Sequence, residues 1–214
     1  MKKTLEILVK SFLAGLSISL GGWLSLRTSL LTGNSVLAAF IFCIGLILIC
    51  NFSYYLYTGK ICYVLDKNEE KIPQKIYRMS LILLGNFIGC LFMALLIRVM
   101  LKDNNKDLFI SLEKMVENKL KYQWWQVLGL SFFCGMLVYI AVEGFQKIQN
   151  NFGKYVVLML CIAGFIIAGF EHSIADMFYL MLNLSFDFKS LIFIVLCVIG
   201  NSLGGIFIPL LNKI

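Results

Sequence analysis

Six long apolar blocks dominate this chain, near residues 8–30, 36–65, 78–101, 123–146, 154–182 and 189–211. Each can cross about 30 Å of hydrocarbon, which takes roughly 20 residues of helix. The apolar residues run in blocks and do not follow the period of a helix with one wet face. Of the 214 residues, 60% are hydrophobic and 14% charged, too little polar surface for a soluble domain of this size. Lipid leaves no water for backbone N–H and C=O groups, so the spans must be helical. The chain reads as an all-α polytopic membrane protein with six transmembrane helices in a single transmembrane domain, 1–214.

The second and fifth blocks are too long for one regular helix. Each is interrupted by a polar stretch, NFSYYLYTGK (51–60) and FEHSIADM (170–177). Such interruptions mark broken helices, whose freed backbone groups must be buried in protein or line a cavity. The stretch 102–122 reads as a long connection carrying both charge signs. Lys and Arg in the lead-in, in 66–78 and in 146–154 put those segments in the cytoplasm, so both termini are expected inside a plasma membrane. MKKTLEILVK starts like a signal peptide, but Glu6 interrupts it, and it reads as a retained lead-in to the first span. The net charge is +7, without a basic patch interleaved with exposed aromatics, so nucleic acid is not an expected partner.

Internal repeats order the spans. GNFIG (85–89) recurs as GNSLG (200–204), 115 residues on. Thr58 and His172, in the two breaks, are 114 apart, as are Gly21 and Gly135. Two halves of three spans, about 1–104 and 105–214, must be oppositely oriented because three is odd. An inverted 3+3 repeat places Thr58 and His172 face to face near the midplane. Gly85, Asn86, Gly89, Gly200, Asn201 and Gly204 are then helix-packing positions of the small-xxx-small kind.

These motifs resemble the formate/nitrite transporter family across nearly the whole chain. GFEHSIADMFY is similar to that family's fifth-helix signature, usually GFEHSIANMF. LYTG (56–59) resembles its first broken loop, usually LFTG; GNFIG and GNSLGG resemble its GN-x-x-G motifs, and LAGLSISLGG (13–22) its first helix. The resemblance implies an aquaporin-like fold and a homopentamer in the lipid bilayer, with one pore per protomer. It also implies passage of small monovalent anions such as formate, nitrite or hydrosulfide, coupled to protons.

His172 is the only histidine. An ionisable group at membrane depth is costly and is a functional candidate by default, and histidine exchanges protons near neutral pH. Thr58 can hold an anion oxygen or be a simple turn residue. Glu171 can orient His172, satisfy freed N–H groups, or be a buried acid bonded to the broken helix ends. Asp176 stands where the family has Asn and reads as a helix-end group. The resemblance also implies a lysine ahead of the fourth helix, and counting back from Gly135 gives Lys119. That lysine would concentrate anions at the mouth, or be a solvated loop lysine like Lys121. Gly135 replaces a pore asparagine, which is expected to widen the pocket. Lys60 can enter the pore or snorkel to an interface. Two apolar slits are implied on either side of the histidine, Phe42, Tyr57 and Val138 in one and Leu46, Leu56 and Phe165 in the other. Taken singly, all six are equally core residues.

Seven cysteines lie scattered along the spans without a C-x-x-C pair, so neither a metal nor a redox dithiol is expected, and no cofactor. Two classes of function stay open: a channel or transporter for weak-acid anions, and a membrane-embedded enzyme or sensor built on Glu171 and His172. The second lacks any nucleophile or metal set, so the expectation is not an enzyme.

Overall fold

A computed structural model of the chain describes residues 2–65, 71–101 and 105–213. Residues 66–70, part of the loop used for orientation, and the expected boundary between the halves at 104 lie outside the described residues. The described residues form α1 (Lys2–Thr32), α2 (Ser35–Phe42), α3 (Ile44–Asn51), α4 (Tyr57–Lys60) with a 3₁₀ turn at Ile61–Leu65, and α5 (Ile72–Met100). They continue as α6 (Lys106–Leu120), α7 (Trp124–Lys147), α8 (Asn151–Ile167), α9 (Ser173–Leu182) and α10 (Phe188–Leu211). Helices α1, α5, α7 and α10 are each long and apolar enough to cross a membrane alone. The other two spans are assembled from pieces, as the polar interruptions require. The fold is aquaporin-like, with six spans in an inverted 3+3 arrangement.

One element departs from the sequence expectation. The stretch 102–122 is not simply a connection, because Lys106–Leu120 is an amphipathic helix. Leu108, Leu112 and Val116, four residues apart, share one buried face. A search for uniformly apolar blocks passes over such a segment, and this helix carries Lys119.

Helix pairs within each half meet through small residues. Lipid supplies no hydrophobic drive between helices, so close backbone approach and dispersion hold them. A Cβ on Gly85 would sit 2.5 Å from the Ser11 Cβ, and one on Gly200 2.6 Å from the Ser131 Cβ. A Cβ on Gly15 would strike the Asn86 carbonyl oxygen, and one on Gly135 the Asn201 carbonyl oxygen. So α1 seats on α5 as α7 seats on α10, and the partner of Gly135 in the first half is Gly15, not Gly21. Gly21 instead faces the Phe42 carbonyl. The expected third landmark of the repeat was therefore a coincidence of spacing.

The same contact corrects the reading of Gly135 as a widened pocket. The space beyond its Cα is filled by the α10 backbone. Gly135→Ala and Gly204→Ala, both against backbone, are expected to destabilise by about 1–3 kcal/mol each through overpacking. Gly129 and Gly164 have nothing within 4 Å of a built Cβ, and alanine there should be neutral or stabilising. Thermal unfolding in detergent separates the two sets. Equal midpoints for all four variants would contradict this packing.

Candidate functional site

The fifth span stops at Ile167, turns through Gly169 at φ 69, and restarts at Ser173. A left-handed residue there suits glycine, which has no Cβ to clash. His172 is the N-cap of α9: its Nδ1 accepts the Ala175 backbone N–H at 3.1 Å. The freed groups of this break are held by Asn201 of α10. Its Oδ1 accepts Ser173 N–H at 2.8 Å, and its Nδ2 donates to Glu171 O at 2.9 Å and Ser131 O at 2.8 Å.

The second span breaks between Asn51 and Tyr57, with Ser53 at φ 54 and Leu56 extended. Asn86 of α5 repeats the device. Its Oδ1 accepts Tyr57 N–H at 2.9 Å, while Nδ2 donates to Tyr55 O at 2.9 Å and Ser11 O at 2.8 Å. Each buried amide thus spends both donors and an acceptor on backbone, as buried polar groups must. The motifs GNFIG and GNSLG therefore carry two tasks, glycines for packing and an asparagine for the break. The second task has no signature in the motif, because the groups held are backbone atoms.

Between the breaks, Thr58 Oγ1 and His172 Nε2 lie 2.9 Å apart, both buried. A backbone N–H only donates, so Nδ1 is unprotonated and the neutral ring carries its proton on Nε2. Nε2–H therefore donates to Thr58 Oγ1, and the threonine O–H proton stays free to point elsewhere. The Phe165 ring stacks on the imidazole at 5.7 Å between centroids and 13° between planes, which holds its orientation.

Lys119 reaches this break from the last turn of α6. Its Nζ donates to Glu171 Oε2 and lies 2.9 Å from Asp176 Oδ1. Both carboxylates are at most 3% exposed, so two buried acids share one ammonium. Lys119, Glu171, His172 and Asp176 border a cavity of about 480 Å³, together with Phe42 and Phe165.

A family model for formate/nitrite transporters matches residues 1–213. The chain belongs to the formate/nitrite transporter family. It is similar to the formate channel FocA of Haemophilus influenzae, 24% identical over 157 residues, covering 71% of this chain and 55% of that one. It is 28% identical over 226 residues to an uncharacterised transporter, YrhG, of Bacillus subtilis, covering 96% of this chain and 83% of that one. Its fold matches a pentameric formate channel with formate bound, at TM-score 0.86 and 19% identity over 99% of this chain and 97% of that chain. It also matches an FNT family ion channel, at TM-score 0.88 and 21% identity over 98% and 89%. The matched stretch spans little more than half the length of the Haemophilus channel. A transporter family, not an enzyme family, sets aside the enzyme alternative.

Several expectations change against this geometry. Lys119 is not a free cation at a mouth, because Glu171 and Asp176 neutralise it. Among the described residues the Glu171 side chain bonds neither His172 nor a freed backbone N–H; it takes the lysine. Asp176 does lie in the first turn of α9, but its main partner comes from α6, 57 positions away in the chain. Lys121, by contrast, is exposed and 4.0 Å from Glu117. Phe42, Leu46, Leu56, Tyr57, Val138 and Phe165 are all buried. Phe42 and Phe165, placed in different slits by resemblance, meet edge to face at 6.1 Å between centroids. The Tyr57 hydroxyl, which departs from the family pattern, is within 2.9 Å of Ser202 Oγ.

Proposed function

We propose that this chain forms a pore for small monovalent weak-acid anions of the formate and nitrite class, with hydrosulfide a further member. It works as a homopentamer of single-domain protomers in the plasma membrane, with both termini cytoplasmic. The observation that carries this is the buried Thr58–His172 hydrogen bond at the meeting of two broken helices. The pentamer and the anion class are supported by likeness to the formate-bound pentameric channel.

A bare anion crossing an apolar constriction meets a penalty of several kcal/mol even after relaxation, which a neutral acid largely avoids. The anion reaches Thr58, whose free O–H donates to it, and gains a proton from His172 directly or through water. Nε2 can give its proton away without leaving an imidazolate only if Nδ1 has first been protonated. Nδ1 takes a proton only by releasing the Ala175 N–H. Opening of the α9 cap is therefore part of the transfer, and it couples the proton to the end of a helix.

The test is formate and chloride flux into liposomes, with internal pH recorded. Wild-type formate flux should rise as external pH falls, acidify the lumen, and exceed chloride flux by at least about tenfold, a factor that needs only about 1.4 kcal/mol. His172→Phe should abolish proton uptake. His172→Asn, which can still cap α9, should keep the fold and pass anions without protons. Equal chloride and formate flux in wild type, or unchanged coupling in His172→Phe, would overturn this mechanism.

A further inference from the structure

The two ends of the proposed pore differ in charge, and the difference points away from Lys119. A second cavity, of about 230 Å³, is bordered by Cys50, Leu56, Gly59, Lys60, Val142 and Gln146. It lies at the opposite end of the spans from the Lys119 cavity. Ser25 and Ser29 of α1 border the Lys119 cavity, while the Lys10 carbonyl accepts Tyr55 N–H beside Lys60. Fifteen helical residues separate Lys10 from Ser25, a rise of about 22 Å. Lys119 and Tyr122 likewise precede the start of α7, whereas Val142 and Gln146 lie near its end.

Lys60 is half-buried here, and no carboxylate lies on it among the described residues. Its Nζ sits 5.6 Å from the Tyr55 ring centroid and 5.4 Å from that of Tyr63. Its charged neighbours are Arg78 and Lys10, the latter paired with Glu6 at 2.7 Å. Glu143 is already engaged, accepting from the Tyr63 hydroxyl at 3.0 Å and pairing with Lys147 at 2.8 Å. Ring faces attract the ammonium through their quadrupole and do not neutralise its charge. Among the described residues no acceptor takes its N–H donors, and it lies beside Leu56 at the approach to the Thr58–His172 pair. Lys119, by contrast, has two carboxylates on one ammonium.

Resting on the pore reading above, we propose that Lys60 is the anion-docking residue of this protein, receiving a small monovalent anion in the α3–α4 cavity. It raises the local anion concentration at that end, and the Lys119 end does not.

The test measures formate uptake against concentration for full-length protein in liposomes at low and high salt. Lys60→Gln should raise the half-saturating formate concentration about tenfold at low ionic strength, and the gap should shrink at high salt as screening takes over. Lys60→Arg keeps the positive charge, which can still sit on the ring faces, and should stay within about twofold of wild type. In wild-type protein, formate should slow acylation of Lys60 by an amine-reactive ester and leave exposed Lys121 unaffected, which needs no variant to fold. Wild-type flux with an unmoved Lys60→Gln, an equal loss in Lys60→Arg, or acylation of Lys60 indifferent to formate would overturn the assignment to Lys60 alone. Absence of formate flux in wild type would overturn the pore reading and this site with it.

Discussion

Lys119→Met is expected to destabilise the protein by about 3–5 kcal/mol, the scale for breaking a buried ion pair by removing one partner. The substitution leaves Glu171 and Asp176 in the interior with no cation. Both are nearly inaccessible to solvent, and only Lys119 pairs with them among the described residues. Coulomb repulsion between them then adds to the lost solvation of each. Asp176→Asn alone should behave oppositely. It leaves a one-to-one pair of Lys119 with Glu171 and removes a surplus buried charge, so stability should match or exceed wild type. The triple variant Lys119→Met, Glu171→Gln, Asp176→Asn should recover most of the loss, because no unpaired charge remains. Thermal midpoints in detergent, with size-exclusion profiles, give the comparison. A Lys119→Met midpoint within a degree of wild type would show that the ion cluster holds nothing together.

The second large effect is expected at the asparagines. Asn201→Ala frees the Ser173 N–H and the Glu171 carbonyl at the fifth-span break, and each buried unsatisfied group costs about 1–3 kcal/mol. A summed loss of several kcal/mol follows, with the Thr58–His172 geometry lost as α9 shifts. Asn86→Ala should cost a similar amount, since it serves Tyr57 N–H and Tyr55 O in the same way. Asn201→Asp is no rescue: an ionised carboxylate accepts from Ser173 but cannot donate to Glu171 O or Ser131 O. Either alanine variant unfolding within about 0.5 kcal/mol of wild type, the range of an ordinary surface change, would mean the breaks are held by other contacts.

Much of the frame was legible in the chain itself. The six spans follow from block length against bilayer thickness, a local property. The two breaks follow from polar residues inside over-long blocks, which is local too. Thr58 and His172 could be set opposite one another because both sit in such breaks 114 residues apart, and the structure brings them to 2.9 Å. Amphipathic α6 is invisible to block length, because its apolar residues are spaced on one face and never form a block. The signal was there, at Leu108, Leu112 and Val116.

The rest was decided by how one helix is rotated and slid against the next, which hydropathy does not encode. Lys119 reads the same in sequence whether it faces water or two acids. Only the seating of α6 against the fifth-span break brings it to Glu171 and Asp176. Gly135 reads as an emptied pore position, yet the backbone of α10 fills the space where its side chain would be. Asn86 and Asn201 read as helix-packing residues because the partners they hold are backbone atoms, identical in every residue. A backbone group acquires its need for a partner only when a helix breaks beside it, away from water. Sequence reports where a chain can be buried; the register of the helices determines which buried groups meet.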